Sequence, residues 1–151
     1  MSPKKLIVPG LSVLLVIGAA LAGGCAGAEI ETPPPAPPTP TQIIENVTPQ
    51  EAFALIQDNQ GNPDFVIIDV RTPEEFAEAH IENAINIDFY AQTFRDELDR
   101  LDKNKTYLIY CRSGNRSGNA LDIMTELNFR EVYHISDGIT KWQAAGLPVV
   151  K

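Results

Sequence analysis

The stretch Cys111-Arg112-Ser113-Gly114-Asn115-Arg116-Ser117 lies between an apolar run, Thr106-Tyr107-Leu108-Ile109-Tyr110, and a helix-like run over residues 117–128. The β-branched and aromatic content of 106–110 predicts a short buried strand. Over 117–128, Ala120, Leu121, Met124 and Leu127 fall on one face, the spacing of an amphipathic helix. Cys111 is therefore expected at a strand's carboxyl end, with a tight polar loop running into a helix N-terminus. Backbone N–H groups at such a terminus are unpaired and carry partial positive charge, which favours an anion. Arg112 and Arg116 add two full charges. A thiolate in this setting is stabilised, its pKa falling from about 8.5 into the range of roughly 3.5–7.5. A lone cysteine after an apolar strand is ordinarily a buried structural thiol. Two arginines and a glycine are poor core material, and they favour a reactive sulfur here.

Outward from this loop, buried strands and helices alternate. Thr48-Pro49-Gln50-Glu51 has the form of a capping box with proline at the first helical position, opening a helix through Phe53 and Ile56 that the polar run 58–63 ends. Phe65–Val70 is an apolar run apart from Asp69, as in a strand buried on both faces. Thr72-Pro73-Glu74-Glu75 repeats the capping box and opens a short helix through Phe76 and Ala79. A strand over 84–87, a helix over 94–101, a strand over 132–135 and a last helix carrying Trp142, ended by Gly146, complete the series. The expectation is an α/β fold of three layers, α/β/α, with a mainly parallel central sheet. Ligands of such sheets bind beyond the strands' carboxyl ends. Cys111 falls there, and so do Asp69 and Arg71, expected on the same rim.

The chain has 151 residues, a net charge of −8 and 44% apolar residues, the size and composition of one globular domain. So acidic a chain is not expected to bind nucleic acid. Neither His80 nor His134 has a second His or Cys at metal-ligand spacing, so no metal and no cofactor is expected, and both histidines are read as structural or surface residues.

The front of the chain reads as an address. Lys4 and Lys5 precede an apolar run from Leu11 to Ile17, and Ala22-Gly23-Gly24 leads to Cys25. A basic start, an apolar core and small residues before a cut site describe a signal peptide over residues 1–24. The segment resembles a bacterial lipobox, with Ala22 where leucine is more usual, which implies lipidation of Cys25. An uncleaved membrane helix is the alternative. It is disfavoured because about 20 apolar residues are needed to span and Pro9-Gly10 interrupts the run. The segment 25–42, with Pro33-Pro34-Pro35-Ala36-Pro37-Pro38-Thr39-Pro40 at its centre, suits a polyproline II spacer between the membrane and a domain over 43–151. The expected location is extracytoplasmic, on a bacterial cell envelope. Lipidation would leave Cys111 as the one free thiol.

Four segments, taken in order over residues 46–150, resemble a rhodanese-like sulfurtransferase domain. They are Asp69-Val70-Arg71-Thr72-Pro73-Glu74-Glu75-Phe76; His80-Ile81-Glu82-Asn83-Ala84-Ile85-Asn86-Ile87; the loop Cys111–Ser117; and Asp137-Gly138-Ile139 with Trp142 and Gly146-Leu147-Pro148-Val149. Ala79 and Asn83 stand where the second motif usually has glycine, and asparagine tolerates positive φ well enough to keep the turn. Asp137 replaces a frequent glycine in the fourth. The resemblance implies a Cys111 thiolate that takes a sulfane sulfur from a donor such as thiosulfate and passes it from a persulfide to a small-molecule thiol, cyanide or a partner protein's cysteine. Loop N–H groups from Arg112, Ser113, Gly114, Asn115, Arg116 and Ser117 would hold the persulfide charge, with Arg112 and Arg116 binding an anionic donor. Asp69 and Arg71 would support the site. A second role for Arg116 is an ion pair, to Asp69, that fixes the loop. Two rival readings stay open. A related phosphatase or arsenate reductase needs Cys-x5-Arg, whereas Cys111 and Arg116 are spaced Cys-x4-Arg. A non-catalytic envelope-tethered binding module would have no need of the cysteine.

Overall fold

The structure, a computed structural model, describes residues 41–151. The leader over residues 1–24, Cys25 and the proline tract lie outside the described residues. Ten elements alternate: β1 (Ile43–Val47), α1 (Pro49–Asp58), β2 (Phe65–Asp69), α2 (Pro73–Glu78), β3 (Ala84–Asn86), α3 (Phe94–Asp99), β4 (Thr106–Tyr110), α4 (Asn115–Glu126), β5 (Glu131–Ile135) and α5 (Gly138–Ala144). The five strands form one sheet in the order β1-β5-β4-β2-β3, every neighbouring pair parallel. Parallel strands joined by helices are covered on both faces, which is why β2 up to Ile68 and β4 from Tyr107 read as apolar runs.

Alternation along β4 sorts the core into two halves. Tyr107, Ile109 and Cys111 pack with Phe94 and Leu98 of α3 and Ala120 and Met124 of α4. Leu108 and Tyr110 pack with Ala52 of α1 and Ile139 and Trp142 of α5. The result is the expected three-layer α/β/α arrangement, with β4 at its centre. Between β2 and β4 the chain changes direction: the segment after β2 leads out to β3, whereas the segment after β4 leads to β5 on the other side. That crevice is where an open α/β sheet collects ligands.

Local chemistry sets the boundaries. Thr48 and Thr72 both cap their helices in full capping boxes, with Glu51 and Glu75 returning the bond and proline next to the cap. Gly146, at φ 72°, ends α5 with N–H bonds from Gly146 to the Gln143 carbonyl and from Leu147 to the Trp142 carbonyl, a Schellman motif. Asn128, at φ 62°, ends α4 in the same way. Asn83 takes φ 65°, so the turn before β3 keeps the backbone a glycine would give.

The structure departs from the sequence expectations at one helix start and adds one strand. Helix α4 starts at Asn115 rather than 117, because Gly114 at φ 97° turns the chain directly into it. Strand β1 has no counterpart in the sequence reading. It is a sheet-edge strand, largely exposed, and its polar Glu45 and Asn46 break the apolar signature. Among the described residues no helix is long and apolar enough to cross a membrane.

Candidate active site

Cys111 follows β4 directly and is 1% exposed. The Val70 N–H donates to the Tyr110 carbonyl (3.0 Å), holding the ends of β2 and β4 together beneath it. From Cys111 the chain wraps around its own sulfur. The Gly114 N–H donates to Sγ at 3.1 Å and the Ser117 hydroxyl lies 3.3 Å from it. Burial pushes the thiol up. The Ser117 hydroxyl and the backbone N–H groups of Ser117, Ser113 and Gly114 outweigh burial and hold it below the ordinary thiol value.

The loop keeps this shape because the β5–α5 connection braces it from outside. N–H groups of Ile139 and Thr140, in the first turn of α5, donate to the carbonyls of Cys111 (2.9 Å) and Arg112 (3.1 Å). With those carbonyls engaged outward, the following N–H groups face the sulfur. Contact is close enough to exclude side chains. A Cβ on Gly138 would sit 2.5 Å from the Arg112 carbonyl carbon, and one on Gly114 would sit 1.8 Å from the Ser136 carbonyl oxygen. The glycine this motif requires is thus Gly138, at φ 63°, while Asp137 occupies ordinary backbone at φ −93°.

The charged residues are arranged differently from expectation. Arg116 pairs with Glu75 on α2, not with Asp69: Nη1 and Nη2 donate to the two carboxylate oxygens at 2.6 and 2.9 Å. Asp69 is fully buried and belongs to Arg71, whose Nη2 donates to it at 2.6 Å and also to the Ala79 carbonyl at the end of α2. The Asp69–Arg71 pair thereby anchors α2, and α2 presents Glu75 to Arg116. Arg112 is exposed and makes no ion pair among the described residues, and Ser113 and Asn115 are exposed beside it. The structure thus brings Cys111, Gly114 and Ser117 into one cradle, sets Arg112, Ser113 and Asn115 on its rim, and uses Arg116, Asp69 and Arg71 to brace it.

His80 stacks on Phe76 and exchanges two backbone bonds with Val150, a structural place. His134 does not fit the reading of a structural or surface residue so simply. Its Nε2 is 2.8 Å from the Ser117 hydroxyl, which makes it the third member of a chain that begins at the sulfur. Nothing in the spacing of one histidine 23 residues after the cysteine signals this, because the contact depends on β5 lying beside β4. A cavity of about 580 Å³ near Phe53, Phe65 and Trp142 shares no residue with the cysteine loop.

The rhodanese-like domain family matches residues 49–145, and the chain belongs to that family. Among curated proteins it is 36% identical over 111 residues to an uncharacterized protein of Synechocystis, covering 74% of this chain and 59% of that one. It is 32% identical over 100 residues to a sulfurtransferase of Allochromatium vinosum, covering 66% of this chain and 92% of that one. The crystal structure of a rhodanese-related protein from Thermoplasma volcanium superposes with a TM-score of 0.55 at 28% identity, over 73% of this chain and 97% of the other. This chain is therefore a rhodanese-like domain with distant sulfurtransferase relatives.

Proposed function

We propose that the chain transfers a sulfane sulfur from an anionic donor such as thiosulfate to a thiophilic acceptor through a persulfide on Cys111. The observation that carries this reading is the cradle: a sulfur whose ionised form is met by the Gly114 N–H and the Ser117 hydroxyl, with the exposed Arg112 at the rim. The thiolate attacks the outer sulfur of thiosulfate. A bond forms between Sγ and that sulfur, the bond to the sulfonate sulfur breaks, and sulfite leaves with the electron pair. The terminal sulfur of the persulfide keeps one negative charge. An acceptor, cyanide or a thiolate, then attacks that terminal sulfur, and Cys111 departs as the thiolate. Each half-reaction conserves charge and needs no other reactant. Inward N–H groups stabilise the anion that both halves share. Since Cys111 itself is buried, the donor has to enter from the side where Arg112, Ser113 and Asn115 are exposed.

The test is mass spectrometry of the protein after treatment with thiosulfate. One added sulfur on the Cys111 peptide, absent in Cys111→Ser, is the expected result. A Cys111→Ser variant that still turns over thiosulfate and cyanide would sink the reading.

The setting belongs to the same proposal. Lys4, Lys5, the apolar run and Cys25 support a lipid-anchored, extracytoplasmic protein held away from the membrane by the proline-rich spacer. Membrane fractionation of wild type and Cys25→Ala checks this. Equal membrane retention of the two would point instead to an uncleaved anchor.

A further inference from the structure

Ser117 has one hydrogen and three acceptors around it. Its Oγ lies 3.3 Å from Cys111 Sγ, 3.1 Å from the Gly114 carbonyl oxygen and 2.8 Å from His134 Nε2, so the shortest contact is to the imidazole. A hydroxyl offers one donor and two lone pairs, and it cannot serve all three at once. On its other edge the ring places Nδ1 2.9 Å from Asn46 Oδ1, and the β1–β5 register sets Asn46 directly beside His134. An amide oxygen only accepts, so Nδ1 carries a hydrogen. In the neutral ring Nε2 is then bare, and it draws the Ser117 hydrogen away from the sulfur. With a proton on Nε2, the ring donates to Oγ and the hydroxyl hydrogen turns to Sγ.

We propose that His134 is a positioning residue for the sulfur chemistry: through Ser117, the state of its Nε2 decides whether a hydroxyl hydrogen faces Cys111 Sγ. For its purpose in the reaction, though not for its test, this rests on the persulfide reading. When the thiol ionises, its hydrogen passes to Ser117 Oγ while the hydroxyl's own hydrogen passes to Nε2. The sulfur keeps the electron pair of the broken S–H bond, the ring becomes imidazolium, and Ser117 ends with one hydrogen directed at the thiolate. Nothing is oxidised or reduced.

The surroundings suit such a coupling. Burial pushes the His134 ring, 5% exposed, below the ordinary imidazole value, with the Gly114 backbone acting in the opposite sense. A buried ring of this kind takes a second proton only when a nearby negative charge compensates it. The groups packed on it are Asn46 from β1, Ser117 and Gly118 from α4, and the β4 strand that leads into Cys111. The titratable groups on these elements and on its own strand are Glu45, Tyr107, Tyr110, Arg116, Asp122, Glu126, Glu131, Tyr133 and Cys111. None of them bonds the ring directly, and Cys111 is the one connected to it, by way of Ser117.

Two measurements on the full chain test this. The first follows alkylation of Cys111 by iodoacetamide against pH, read from the mass of its peptide. In His134→Phe no ring is left to take the thiol's proton and balance the thiolate, so the midpoint should rise by about one pH unit even though the freed Ser117 hydroxyl can turn to Sγ. The second needs no change at His134. The chain has two histidines, so ring-nitrogen NMR signals of His134 can be followed beside His80 as an internal control. They should move a second time as Cys111 ionises, and that step should vanish in Cys111→Ala, since coupled sites titrate together. An unmoved alkylation midpoint in a folded His134→Phe, or the same His134 titration with and without the sulfur, overturns the proposal. Neither readout uses a sulfur donor. Loss of sulfur transfer with this coupling intact would therefore overturn the persulfide reading alone.

Discussion

Arg116 and Glu75 meet through two hydrogen bonds, 2.6 and 2.9 Å long, that tie the first turn of α4 to the first turn of α2. Glu75 does this while also returning the capping bond to the Thr72 N–H at 3.3 Å. One carboxylate therefore closes a helix cap and fixes the helix that carries the cradle. It also answers most of the Arg116 charge, so the two arginines flanking the cysteine loop have different tasks.

The pair makes stability depend on acid in a definite window. The Arg116 hydrogen bonds, working against partial burial, hold the Glu75 carboxyl below its usual 4.5. A depressed carboxyl contributes stability that is present above its unfolded value and lost as pH falls through its folded value. Glu75→Gln should cost about 1 kcal/mol near neutrality. The gap to wild type should close as pH drops below 4.5. Urea unfolding at neutral and acid pH measures it, and a gap of constant size would show that the charge is not what stabilises.

Kinetics should separate the two arginines. Arg112 is exposed and makes no ion pair among the described residues, so Arg112→Ala should raise the KM for thiosulfate up to about five-fold, the limit of one exposed charge, and leave kcat nearly unchanged. Arg116→Ala strands Glu75 and loosens α4, so kcat should drop about tenfold or more. Equal effects of the two variants on KM alone would mean that both arginines only capture the donor.

Two glycines with the same backbone sign allow the bracing of the loop to be weighed. Gly61 has φ 76° and open space where a Cβ would go, whereas Gly114 has φ 97° and the Ser136 carbonyl oxygen 1.8 Å from that point. Gly61→Ala should cost about 1–2 kcal/mol, the strain of left-handed backbone alone. Gly114→Ala should cost at least about 2 kcal/mol more and abolish sulfur transfer, because something in the loop must shift. Denaturant unfolding of both variants decides it, and similar losses would show that the contact with Ser136 is soft.

Much of this architecture was legible because it is local. The two threonine capping boxes, the apolar β2 and β4 runs and the terminating Gly146 each declare themselves within a few residues, and each lies where expected. The contacts that were not legible are those created by the sheet order. Arg116 reaches Glu75 across 41 residues, and β1 pairs with β5 across nearly the whole domain. Asp69, the partner expected for Arg116, is claimed by Arg71 two residues away, a local bond that a buried carboxylate makes first. The Ser117–His134 contact is hidden from the sequence for the same reason: it depends on β5 lying next to β4.

The last prediction sets the charge of the whole chain against that of the rim. The net charge is −8, and removing Lys4 and Lys5 with a leader would make it −10, so an approaching thiosulfate is repelled at long range. At contact it meets the exposed Arg112 and the inward amides, while Arg116 is largely neutralised by Glu75. Salt shortens the Debye length from about 30 Å at 0.01 M to about 8 Å at 0.15 M, which removes the distant repulsion more than the contact attraction. With Arg112 the one rim arginine that makes no ion pair among the described residues, the attraction is too short in range to dominate the approach. The apparent KM for thiosulfate should therefore fall or stay flat between those two salt levels. Glu75→Gln, which returns the Arg116 charge to the site, should shift the dependence toward a rise with salt. Steady-state kinetics of both proteins at the two ionic strengths checks this, and a clear rise in the wild type would mean that the local cationic field governs capture from the start.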